Sequence, residues 1–177
     1  MRNQTLILMA AALFTLAPAK EYQAIKGESV LSYVLIHPMH TIHSVNKDFE
    51  CKVDLSADTV SSKIRVVADV LKFDSGNSSR DSHAMEAVQS RKFPRVIFES
   101  TAIKPEADGY AVSGNLTFHG KTKPVAFHVT PKTTADRIEI TGTFSVKLSD
   151  FGVERPSLLF VPTQDKLTLR FDLFAKP

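Results

Sequence analysis

Cysteine, tryptophan and long apolar runs are what this chain has least of. In 177 residues there is one cysteine, Cys51, and no tryptophan. A lone thiol cannot close an intramolecular bridge, so stability has to come from a hydrophobic core, which residues 20–177 are numerous enough to build as one domain. Beyond the N-terminus no segment approaches membrane-spanning length. Like charges do not cluster either. The formal charge of +3 and pI near 9.0 arise from lysines and arginines scattered among acids, with the aromatics on the apolar parity of the strands. Nucleic-acid binding calls for a basic face with stacking aromatics, and that pattern is missing. There is no internal repeat and no low-complexity linker.

The first 19 residues read as an export signal: Arg2, an apolar run Leu6–Leu16, then Ala17-Pro18-Ala19 as a cleavage signature. The run is too short to cross roughly 30 Å of hydrocarbon as a helix. The expectation is cleavage after Ala19 and a periplasmic mature protein starting at Lys20. Within FECKVDL, Cys51 is expected to be a half-buried, inert thiol. A reactive or dimer-linking role has no support, although a homodimer is compatible with the sequence.

Residues 20–177 show strand alternation punctuated by turns, with almost no helical periodicity, which is the signature of an antiparallel sandwich or barrel. Strands are expected at 29–37, 41–55, 63–70, 95–103, 110–118, 124–129, 137–148 and 166–174. Eight is the strand count at which a closed barrel is just filled or holds one small ligand. The inward positions are aliphatic or Phe, relieved by Ser29, Ala68, Ser100, Gly114 and Gly142, with no acid–base pair among them. Tyr33, Leu35, Val66, Phe98, Leu116, Phe127, Phe144, Leu169 and Phe171 are the expected lining. Asp74–Thr101 interrupts the alternation with a turn cluster and about two helical turns between Ser79 and Gln89. Such an excursion between antiparallel strands suits the cover of an opening rather than a catalytic crossover.

The segments GNSSRDSHAM, RKFPRVIFEST, VSGNLTFHGKTKPV and FSVKLSDFGV, in this order, resemble the YceI-like family of bacterial lipid- or polyisoprenoid-binding proteins. The matching positions are Arg80, Asp81 and His83; Phe93, Pro94, Phe98, Ser100 and Thr101; Gly114, Leu116, Gly120, Thr122, Lys123, Pro124 and Val125; and Asp150, Phe151 and Gly152. The early strand Ser29, Leu31, Tyr33, Leu35, His37 fits as well. The resemblance implies an all-β fold, an antiparallel eight-stranded lipocalin-like barrel with one short helical excursion. It also implies an exported, non-enzymatic protein that holds a long amphiphilic lipid or isoprenoid along the barrel axis, with no cofactor.

Three polar groups bear on other functions. His37, His40 and His43 suggest a periplasmic metal- or haem-linked redox protein. On a strand, however, positions three apart point to opposite faces and Pro38 disfavours a helix, so three ligands would not converge. A polar barrel rim, with His37 bonded to a lipid head group, is the plainer reading. Arg80, Asp81 and His83 lack an accompanying nucleophile elbow, which argues against a hydrolase. They are expected to pin the excursion as a lid or to meet a head group, Arg80 being able to bind phosphate bidentately. Asp150-Phe151-Gly152 has no Gly-rich or catalytic loop with it and is not the kinase motif.

Overall fold

Alternation of apolar and polar side chains requires each strand to bury one face, and a closed barrel does so without leaving edges. The computed structural model describes residues 20–56, 61–134 and 136–177. The expected export signal lies outside the described residues. In chain order the elements are β1 (Lys20–Ala24), β2 (Val30–His37), β3 (His40–Asn46), β4 (Glu50–Leu55), β5 (Lys63–Asp69), α1 (Ser78–Ala87), β6 (Arg95–Glu106), β7 (Gly109–Phe118), β8 (Lys121–Thr133), β9 (Ile138–Lys147), β10 (Ser157–Leu158), β11 (Val161–Pro162) and β12 (Lys166–Lys176).

Ten strands form one antiparallel sheet that closes on itself, because β12 pairs with β9 on one side and with both β1 and β2 on the other. The barrel nevertheless has eight staves. β1 and β2 are successive halves of the first stave, and β3 and β4 of the second. At the break in the first stave Ser29 substitutes for ladder bonds: its Oγ donates to Phe174 O (2.9 Å) and accepts from Phe174 N (3.0 Å). Opposite, the Gly27 amide donates to Lys47 O. The extended segment expected at 41–55 is therefore two strands parted at 47–49. The short β1 was not anticipated; Tyr22 is its one buried residue, too weak a pattern to read in isolation.

One further correction concerns parity. A bulge between Ser100 and Ala102 shifts the register of β6 against β7, so that Ile103 sits across from Val112. Simple alternation from Phe98 would put Ile103 outside, whereas it is buried at 6% exposure. The core runs around the whole circumference, with Val53, Val112, Ala175 and Phe151 almost completely enclosed.

The excursion between β5 and β6 begins with a short 3-10 turn, Val70–Lys72, whose N-cap Asp69 accepts from the Leu71 amide. It next touches the free edge of β3 through a two-way backbone bridge, Val45 N to Asp74 O (2.9 Å) and Asp74 N to Val45 O (2.8 Å). It then enters α1, capped by the Asn77 side chain accepting from Arg80 N. The chain returns to the barrel where the Phe93 ring meets His119 edge-on at 4.7 Å. α1 is the one α-helix among the described residues, as expected in position and length.

Candidate functional site

Inside the staves lies a cavity of about 190 Å³. Along β12 it is bordered by Leu167, Leu169, Phe171 and Leu173. The six steps from Leu167 to Leu173 correspond to about 20 Å of strand, so the void is elongated along the barrel. An engineered apolar cavity of roughly 150 Å³ already stays dry and takes up benzene or xenon. This one is larger, and its wall is almost wholly hydrocarbon and aromatic.

Tyr33, Leu35, Val66, Phe98, Leu116, Phe127, Phe144, Leu169 and Phe171 all border the cavity. They are brought together by register: Val66 faces Phe98, Phe98 faces Leu116, Leu169 faces Tyr33 on one side and Phe144 on the other. Phe127 is the hub of a ring cluster, with centroids 4.7 Å from Phe144, 5.2 Å from Phe98 and 5.5 Å from Phe171. Two glycines make room for it. A Cβ on Gly114 would stand 2.5 Å from the Phe98 ring, and one on Gly142 would collide with Phe171.

The helical end supplies wall that alternation could not reveal: Ala84, Met85, Ala87 and Val88 face the cavity, joined by Phe73. Yet no residue of α1 is buried. A helix normally hides its apolar stripe against protein; here that stripe overlooks the void. The apolar spacing at 84, 85 and 88 within a polar helix was the available signal.

Arg80 and Asp81 hold this helix at its first turn. Arg80 donates from Nε to Ser75 Oγ (2.9 Å) and from Nη2 to Ser75 O (3.0 Å), while both Asp81 oxygens accept from Ser75 N at 3.2 Å. The expected Arg–carboxylate pin is thus a clamp on Ser75, next to the Asp74–Val45 bridge. His83 is exposed on the outside of α1. Burial pushes the Tyr33 phenol pKa up, opposed by the neighbouring Ser44 hydroxyl, and the charges of Asp81 and Arg80 also act on it. Ser44, directly across from Tyr33, is 1% exposed, and its Oγ has no partner in hydrogen-bonding geometry. Of these groups only Tyr33 borders the chamber.

His37 is not at the cavity. Its Nδ1 accepts from Met39 N (3.1 Å), which makes Nε2 the donor to Val161 O at 2.8 Å. Both nitrogens are committed, which corrects the expectation of a head-group contact. His40 stacks beside it at 4.9 Å, whereas His43 is exposed three positions along β3, on the opposite face. Among the described residues no group of three His, Cys, Asp or Glu side chains could hold a metal ion. His37, His40 and His43 therefore do not converge on one metal ion. Cys51 lines the cavity fully buried rather than half-buried, and desolvation pushes its pKa up to about 12. Asp150-Phe151-Gly152 forms a structural turn, with Phe151 packed on Phe118 and Gly152 left-handed at φ 67°.

A closed eight-stave antiparallel barrel around an elongated apolar chamber, capped by one helix, defines a lipocalin-like architecture. The family model for the YceI-like domain matches residues 22–175, and the chain belongs to that family. A UPF0312 protein of Pseudomonas putida is 34% identical over 125 residues, a match covering 65% of this chain and 65% of the relative. One from Yersinia pestis is 35% identical over 101 residues, covering 51% of this chain and 52% of that protein. The matches thus span less than two thirds of these relatives' lengths. Among solved structures, Burkholderia cenocepacia BcnA superposes with a TM-score of 0.80 at 23% identity, covering 86% of this chain and 99% of BcnA. A polyisoprenoid binding domain from Saccharophagus degradans gives 0.64 at 14% identity, covering 88% and 97%. At these identities the structural likeness establishes the fold. No helix among the described residues is long and apolar enough to cross a membrane.

Proposed function

We propose that the protein is an exported, non-enzymatic carrier that encloses one long-chain amphiphile, isoprenoid or fatty, in the barrel. The observation carrying this reading is the elongated apolar chamber of about 190 Å³. Each methylene moved into it from water contributes about 0.8 kcal/mol, so a long tail binds without any specific polar contact. The bordering residues offer no carboxylate or imidazole for proton transfer; Ser32, Tyr33, Cys51 and Arg170 are the polar ones. A named domain relative is a polyisoprenoid binder, which is consistent with this choice of tail.

The head group lies beside Tyr33, a polar lining residue whose phenol feels the charges of Arg80 and Asp81 on the first turn of α1. α1 serves as a lid, held by the Ser75 clamp and the Asp74 bridge rather than by a packed face. The test is mass spectrometry of organic extracts from protein purified from its own source. A single lipid class at near-stoichiometric amount is expected; protein that is lipid-free and takes up no isoprenoid or fatty probe would end the reading.

A further inference from the structure

The connection between β9 and β12 carries a feature that lipid enclosure does not require. β10 and β11 form a two-stranded hairpin, Ser157 opposite Pro162 and Leu158 opposite Val161, joined by Leu159 and Phe160 alone. Both loop residues have positive φ, 51° and 65°. Positive φ at both central residues is the mark of a type I′ turn, which Asn-Gly makes readily and bulky side chains make at a cost. The strained residues are also the most exposed apolar ones: Leu159 at 72% and Phe160 at 101%, with Leu158 and Val161 partly bare beside them.

The hairpin is firmly seated at the barrel end that α1 covers. Val161 O accepts from His37, the Ile36 carbonyl accepts from Gln164 N (2.7 Å), and Thr163 N donates to Pro156 O (2.8 Å). Met39, 63% exposed at the tip of the β2–β3 hairpin, extends the apolar surface. Pro156, from which the hairpin springs, borders the lipid chamber. The hairpin therefore rises from the rim of the chamber. Residues 157–163 contain no charge, and the ionic side chains at the roots (Glu154, Arg155, Asp165, Lys166, and Lys147 across from Lys166) lie behind it.

We infer that this hairpin, with Met39, is a wedge that docks the mouth of the barrel on a lipid bilayer; the inference rests on the carrier reading above. A narrow convex tip with an uncharged end and charges at its base suits a soft interface, where apolar groups bury about 5–10 Å deep and ionic groups stay at head-group level. It offers no concave surface to a protein partner. Docking there sets the α1 lid facing the membrane, so a lipid passes from bilayer to chamber without crossing water.

Vesicles of phosphatidylethanolamine and phosphatidylglycerol test this by flotation with the full mature protein. Wild type is expected to float, and Leu159→Asn/Phe160→Gly to lose about tenfold or more of its vesicle partition. Because that pair is the favoured type I′ dipeptide, its thermal midpoint should equal or exceed wild type, so loss of binding cannot be laid to misfolding. Phe160→Trp gives a lone tryptophan in a chain that otherwise has none. Its emission should shift to the blue on vesicles and be quenched by brominated lipid. Flotation of the double variant equal to wild type, no spectral shift, or wild type that stays off vesicles would overturn the wedge. The lipid content of the same samples separates the two ideas: lipid-loaded protein indifferent to vesicles sinks the docking alone, whereas protein that is lipid-free and takes up no isoprenoid or fatty probe sinks the carrier reading beneath it.

Discussion

The wall of the barrel and its cap are held together by different physics. The wall is a cooperative object: its inward residues form one buried cluster drawn from strands all around the barrel, and Val112, Val53 and Ala175 are at most 1% exposed. The cap, α1 with its flanking turns, contributes no buried residue from its helix and is tied by the Ser75 clamp, the Val45–Asp74 bridge and the Phe93–His119 contact. A segment with little buried apolar contact belongs to the low-stability end of a structure's opening events. The barrel can thus stay closed while the cap opens, which is what the proposed carrier role requires.

The sharpest way to break this comparison is to place a charge in the wall. Leu116→Arg sets a guanidinium among Phe98, Phe127 and their neighbours, and should cost roughly 4 kcal/mol or more and abolish lipid retention. Denaturant unfolding together with extract mass spectrometry would show it, and wild-type lipid content would contradict the assignment of the chamber. Next is Gly142→Ala, where the new Cβ drives the Phe171 ring aside at an expected cost of about 1–3 kcal/mol. An unchanged unfolding midpoint would mean that the ring cluster is looser than its geometry indicates.

Arg80→Ala acts on the cap alone. Losing two bonds to Ser75 should lower global stability by only about 1 kcal/mol while speeding amide exchange in α1 and release of a fluorescent fatty probe. Equal loss of protection in β7 and α1 would show that cap and wall are one unit.

Cys51 reports on the wall with smaller energies. Its pKa, raised to about 12, favours the thiol, so that contribution to stability is intact below the ordinary thiol value and is lost as pH rises toward about 12. Native protein at mildly alkaline pH should resist alkylation and react only on unfolding; rapid native labelling would contradict this. Smallest is the expected effect at Asp165, held below the usual carboxylate range by hydrogen bonds from Ser149 Oγ and N. Its stabilisation is present above the ordinary carboxylate pKa and fades as pH falls through the lowered value. Asp165→Asn should therefore lower the thermal midpoint slightly at neutral pH and leave it unchanged below the carboxylate range, the effect being small because the group is solvent-screened.

The wall was legible because alternation is a local property with a period of two: Leu167, Leu169, Phe171 and Leu173 announce their face in any extended conformation. Where the backbone departs from that period, legibility ends. The bulge after Ser100 turned Ile103 inward, and the break at 47–49 split one expected strand into two. His37 shares the parity of Tyr33 and Leu35, yet lies past the end of the chamber, bonded to a hairpin that was not foreseen. That hairpin could not be read from Leu159 and Phe160, since neither favours a positive φ.

By itself the sequence determined an antiparallel all-β class, the greasy interior and the position of the helical excursion, because each follows from short-range periodicity and turn chemistry; closure into eight staves was implied by the resemblance to the YceI-like family. Only the tertiary structure decided what stands at the mouth. The bond from His37 to Val161, the bridge from Val45 to Asp74 and the bare tip at Leu159 and Phe160 are contacts between residues remote in the chain, or exposures that arise from their absence. No local pattern encodes either.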